Sequence, residues 1–192
     1  FQVFEMFGKG IIYLAENTQA DYSVYIAGSE GNLSRKMVEK FGFNYIEKQN
    51  NPLSFKISSA AMACRESNPD YVLCLGSDDV LSKEVIDAYL PLMKSGIDFI
   101  GLEDFYFLDL ISNQALYWAG YTEKFRLGNT CGAGRVISSR LMNELDWMPW
   151  GKHQNKGLDW ELQKKMNQIN HSSVALNLKK IGGLGMDIKT DV

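Results

Sequence analysis

The chain has 192 residues, 23 acidic against 20 basic for a net charge of -3, with 45% hydrophobic and 22% charged residues. That is globular composition, sufficient for one domain that stands without disulfides or a structural metal. It argues against a protein whose main task is coating a nucleic-acid backbone or an anionic membrane.

The sequence opens on Phe1, and Phe4, Phe7, Ile11 and Leu14 follow at helical spacing. This predicts an amphipathic helix over 3–16 and a chain trimmed upstream. Tyr22–Ala27 reads as a short strand ending in the turn Gly28-Ser29-Glu30-Gly31, with a helix over about 33–41 and a second strand at Phe43–Ile46. Asn51-Pro52 supplies a helix N-cap with proline at the first helical position. Ile57, Ala60, Ala61 and Cys64 mark the buried stripe of that helix. Tyr71–Leu75 is continuously apolar, as a central strand covered on both faces would be, and runs into Gly76-Ser77-Asp78-Asp79. Ser82 caps the next helix, which Pro91 should kink or split.

The second half changes character. Ile97–Leu102, Phe105–Leu110 and Ala115–Tyr121 are strand candidates, with a hairpin turn at 111–114. A Gly-rich loop at 128–134 precedes a short helix near 139–145. A loop bearing Trp147 and Trp150 leads into a helix at 158–169, and Val174–Leu178 closes the pattern as a last strand. Alternating elements followed by strand pairs predict an α/β fold: a mixed sheet, parallel first and more antiparallel later, flanked by helices. No apolar run approaches the roughly 18 residues of a membrane span. Cys64, Cys74 and Cys131 are spaced as reduced thiols, so a cytoplasmic location is expected.

Position selects the chemistry. Asp78 and Asp79 follow the most apolar strand, at the carboxyl end where open α/β sheets bind ligands. Two adjacent carboxylates repel unless a cation or donors neutralise them, and a hard divalent ion would also grip a diphosphate. A solvated turn is the competing reading. Asp159 opens a helix whose amino terminus favours its charge, which suits a proton acceptor as well as a simple first-turn acid. Glu30 in the Gly28–Asn32 turn is a candidate contact for a ribose or base, and Lys56 for a phosphate. Gly134 and Arg135 close a loop in which backbone can approach a ligand and an arginine can pair with an anion. His153 and His171 have no partner for a nucleophilic triad.

The order of these pieces resembles the GT-A glycosyltransferases, in particular the large inverting nucleotide-sugar-dependent family. Ser77-Asp78-Asp79 matches the last three positions of that family's DxD-type motif, with Gly76 in place of its first acid. Asp159 in Gly157-Leu158-Asp159-Trp160-Glu161-Leu162 takes the place of the acceptor-side aspartate. Asn51–Lys56 looks like the loop into the donor-side helix. The resemblance implies a single GT-A (Rossmann-like) domain over 1–192, its first strand preceding Phe1, with a donor half at 1–102 and an acceptor half at 103–192. It further implies Mn²⁺ or Mg²⁺ on Asp79 and Asp78, and donor contacts from Glu30, Lys56, Ser77, Asp78 and Asp79. Gly134, Arg135 and Trp150 would lie on the acceptor side, with Asp159 as the base in an inverting displacement. The donor would be a nucleotide-diphosphate sugar; the acceptor is open among a saccharide, a lipid-linked sugar, a protein and a modified nucleobase. Two alternatives stand beside it: a nucleotidyltransferase of related fold, although Gly28–Lys36 imitates its Gly-rich, Arg-bearing signature poorly, and a non-catalytic α/β metal- or ligand-binding module.

Overall fold

A computed structural model describes residues 2–190; Phe1 lies outside the described residues. In chain order the elements are α1 (Gln2–Asn17), β1 (Tyr25–Gly28), α2 (Asn32–Glu39), β2 (Asn44–Glu47), α3 (Leu53–Cys64), β3 (Tyr71–Cys74), β4 (Asp79–Leu81), α4 (Lys83–Lys94), β5 (Phe99–Leu102), β6 (Phe105–Asp109), β7 (Gln114–Trp118), β8 (Arg135–Ser138), α5 (Ser139–Glu144), α6 (Leu158–Met166), β9 (Ser173–Leu176), α7 (Leu178–Ile181) and β10 (Gly185–Lys189). The fold is mixed α/β, with parallel and antiparallel pairings among helices. The chain forms two compact units that interleave in sequence: one of Phe1–Asp21, Leu73–Val136 and Ser173–Val192, the other of Tyr22–Val72 and Ile137–Ser172.

The first unit holds a four-stranded sheet of order β4-β10-β6-β7. β10 runs antiparallel to β4 and parallel to β6, and β6 pairs with β7 as an antiparallel hairpin. Phe7, Ile11 and Leu14 of α1 are buried, as their spacing requires, and a Cβ at Gly10 would stand 3.7 Å from Val80 of β4. A second sheet, of order β3-β8-β5-β9, has β5 and β8 buried at every residue and β5 parallel to β9. Asp104, at 0% exposure, ties the unit together: its carboxylate accepts from the Leu178 backbone N–H at 2.7 Å and the Tyr117 hydroxyl at 2.8 Å. Asp104→Ala strands both donors and should cost about 3 kcal/mol of stability, measured by urea unfolding.

In the second unit β1 and β2 pair in parallel, with α2 and α3 packed against them. The amino end of α3 is closed by a distant loop. Leu53 N–H donates to Asn155 Oδ1 at 2.8 Å, Ser54 N–H to the Gln154 carbonyl at 2.9 Å, and the Ser54 hydroxyl accepts from Gln154 N–H at 2.9 Å.

Several expectations are corrected. Asn51 does not cap α3: the Asn51–Pro52 peptide is cis, extended Pro52 occupies the cap, and Asn51 Oδ1 accepts from Asn155 Nδ2 at 2.9 Å. Pro91 does not split α4; placed near the helix end, it costs few bonds, and the helix runs to Lys94. Val174–Leu178 is not the last strand: β9 ends at Leu176, Asn177 caps α7, and β10 follows. β4, β8, α7 and β10 were not anticipated.

Candidate functional site

The strand β3 ends at Cys74, and it is not the central strand expected: it is the outer strand of its sheet and only Val72 is buried. The segment after it turns back through Gly76 to enter β4 at Asp79. The Asp79 N–H donates to the Gly76 carbonyl at 3.2 Å, and the Gly76 N–H donates to the Asp79 carboxylate. This tight loop buries Asp79 to 6% exposure. The register of β4 on β10 sets Asp79 directly opposite Asp187. With Asp78 from the loop, three carboxylates come within 4.8 Å of one another. Lys189, two residues beyond Asp187 and on the same face of β10, sends its ammonium to Asp78 and Asp187, at 2.8 Å from each.

The electrostatics are those of a crowded acidic site. Burial, opposed by the Gly76 N–H and reinforced by the Asp187 and Asp78 charges, pushes the Asp79 carboxyl up to about 7. Burial and the Asp78 charge also raise Asp187, against the pull of Lys189. Burial opposes the charge on Lys189, but its bonds to Asp187 and Asp78 win and hold its pKa above the ordinary lysine value. Oxygen donors at this density suit a hard divalent cation. Beside them lies a cavity of about 250 Å³ lined by Ser77, Asp78, Ile188 and Lys189 together with Val3 and Phe4 of α1.

Gly76 is fitted to this loop. A Cβ there would stand 2.6 Å from Asp78 Oδ1 and 2.9 Å from Asp79 Oδ2. The glycine that departs from the DxD-type pattern is thus the residue that lets both carboxylates turn inward. Gly76→Ala should displace them and weaken any stabilisation by Mn²⁺ at least tenfold in apparent affinity, read by thermal melting against metal concentration.

The remaining sequence candidates fall as follows. In the second unit Glu30 and Lys56 meet around Ser29: the Ser29 hydroxyl donates to Glu30 Oε1 at 2.8 Å and accepts from Lys56 Nζ at 3.3 Å, and Lys56 also reaches Asn50 Oδ1 at 2.9 Å. Hydrogen bonds from Ser34 and Ser29 lower the Glu30 carboxyl to about 2. Asp159 sits in the first turn of α6, after Gly157 in the left-handed conformation. Trp150 is buried. In the first unit Arg135 is 4% exposed and donates to the Thr130 hydroxyl and carbonyl at 3.1 and 2.8 Å, so it braces the Gly-rich loop from β8. Gly134 accepts from the Tyr89 hydroxyl at 2.7 Å. His171 contacts the Ile169 carbonyl at 2.9 Å and takes no part in the acidic cluster. The third carboxylate, Asp187, escaped the sequence reading. The alternation Met186-Asp187-Ile188-Lys189 was its only local signal, and pairing with β4 is a tertiary fact.

Among the described residues no helix is long and apolar enough to cross a membrane, and the three cysteines form no disulfide. No protein-family model and no curated protein matches the sequence. Solved structures do match in fold. The inositol-1-phosphate CTP transferase from T. maritima superposes over 96% of this chain and 76% of its own, with a TM-score of 0.56 and 10% sequence identity. At that identity the likeness is one of architecture: this chain has the Rossmann-like α/β fold found in that enzyme.

Proposed function

We propose that the protein is a transferase acting on a nucleotide-linked phosphate with the help of Mg²⁺ or Mn²⁺ held by Asp79, Asp187 and Asp78. The observation that carries this reading is the convergence of three carboxylates, one almost wholly buried, from the paired strands β4 and β10 and the loop before β4. When bound, the cation would neutralise charge on the departing phosphate group. Asp79 and Asp187 fix their oxygens through the strand register, and Gly76 holds Asp79 in place. Lys189 is the local positive charge, and its ammonium is positioned to bind phosphate oxygens once a cation takes over the carboxylates.

Two reactions suit such a site. Nucleotidyl transfer from a nucleoside triphosphate is supported by the fold, since a CTP transferase is among the solved structures that share it. Sugar transfer from a nucleotide-diphosphate sugar is the second reading. It is favoured by Ser77-Asp78-Asp79 at the end of an apolar strand and by Asp159 at a helix entrance, where a carboxylate can take the proton from an acceptor hydroxyl. The two differ in what leaves. With Mn²⁺ present, a panel of nucleoside triphosphates and nucleotide-diphosphate sugars followed by phosphorus NMR separates them. Pyrophosphate release identifies the first and nucleoside diphosphate release the second. No metal-dependent turnover or binding of either class would sink both.

A further inference from the structure

The segment that closes the amino end of α3 has the build of a moving part. It runs from Gly151 to Gly157, and both glycines sit in the left-handed region, at φ 74° and 69°. Between them stand Lys152, His153, Gln154, Asn155 and Lys156, without one apolar side chain. The flanks are firmly seated. Before Gly151, Trp150 is buried and the Met148 carbonyl accepts from Lys165 Nζ at 2.7 Å. After Gly157, α6 begins and buries Leu162 and Met166.

The contacts that hold the middle are hydrogen bonds. Asn155 uses both ends of its amide: Oδ1 accepts from Leu53 N–H at 2.8 Å, and Nδ2 donates to Asn51 Oδ1 at 2.9 Å. Gln154 and Ser54 bond reciprocally at 2.9 Å each, Gln154 N–H to the Ser54 hydroxyl and Ser54 N–H to the Gln154 carbonyl. The Ser58 hydroxyl donates to the Gly151 carbonyl at 3.2 Å. Ser54 and Ser58 are both 0% exposed, so what the segment covers here is hydroxyl and N–H. Water replaces such bonds at small net cost, whereas lifting a segment off apolar side chains forfeits their burial.

We infer that residues 151–157 form a strap that opens and closes as one unit over the start of α3, with Gly151 and Gly157 as its hinges and Asn155 as its latch. The strap leads directly into the helix of Asp159, and α3 carries Lys56 in its first turn. Its state therefore governs how firmly the start of α6 is tied to the helix of Lys56. This holds whichever reaction the carboxylates serve, and it needs no cation.

Amide hydrogen exchange, followed by NMR on the intact chain, tests the strap. Leu53, Ser54 and Gln154 should exchange through one shared opening, faster than Ala61 within α3 and Leu162 within α6. Asn155→Ala removes both latch bonds from an exposed position and should speed all three about tenfold, with Ala61 and Leu162 unchanged. Asn51→Ala removes one of the two bonds and should speed the same three by less. Lys156→Ala, an exposed change on the strap itself, should leave them as in wild type. The strap is overturned if Asn155→Ala speeds none of the three. It is equally overturned if Leu53 alone responds, which marks a local cap, or if Ala61 and Leu162 respond as well, which marks opening of the whole unit.

Discussion

Asp79→Asn is expected to make the metal-free protein more stable at pH 8 while abolishing its response to Mn²⁺. The buried carboxyl is pushed from 3.8 up to about 7, chiefly by burial and further by Asp187 and Asp78. An acid with a raised folded pKa binds its proton more tightly when folded, so its stabilising effect is present at low pH. Stability attributable to Asp79 therefore falls as pH rises from about 4 to about 7 and stays low above that. The shift sets a ceiling of about 4 kcal/mol on the cost at pH 8. Asparagine carries no charge there and still offers an oxygen to the Gly76 N–H. A rise of about 5 °C or more in melting temperature would follow for a chain of this length, and the difference between variant and wild type should vanish near pH 4. Mn²⁺ should stabilise wild type but not the variant, and Asp187→Asn should share that insensitivity. A variant less stable than wild type at pH 8 refutes the burial account; a retained metal response refutes the ligand assignment.

Asp159→Asn separates the two proposed reactions. If sugar transfer is the activity, loss of the general base should lower turnover by about 10²–10⁴ while donor binding and the Mn²⁺ response persist. Asparagine tolerates the first helical turn, so α6 should remain folded, checked by circular dichroism. Turnover at the wild-type level removes the sugar-transfer reading and leaves nucleotidyl transfer, in which Asp159 has no assigned proton to move.

Much of the local architecture was legible because it obeys local rules. α1 has an unbroken apolar stripe, α4 a serine at its start, and β3 a run of apolar residues. The hairpin of β6 and β7 turns where 111–114 breaks the pattern, with Asn113 at positive φ. The acidic turn after β3 was legible too, because it directly follows an apolar strand, although that strand lies at the edge of its sheet rather than at its centre. The resemblance to the inverting glycosyltransferases pointed to Asp78 and Asp79, and the structure adds Asp187 and Lys189 beside them.

The elements that sequence did not reveal are those stabilised from elsewhere. β4 has three residues and β10 carries a glycine and an aspartate, so neither shows a strand pattern alone; each persists through the ladder the two share. β8 begins with an arginine that reads as a ligand for anions until its bonds to Thr130 are seen. Asn51 has the chemistry of a cap, yet Asn155 performs that task from across the sequence. Composition and periodicity determined that this chain is an α/β protein with an acidic turn at the end of an apolar strand, because those follow from neighbours within a few residues. Which carboxylates meet and which lysine answers them were decided by strand register, which depends on pairings some hundred residues apart that no local window contains.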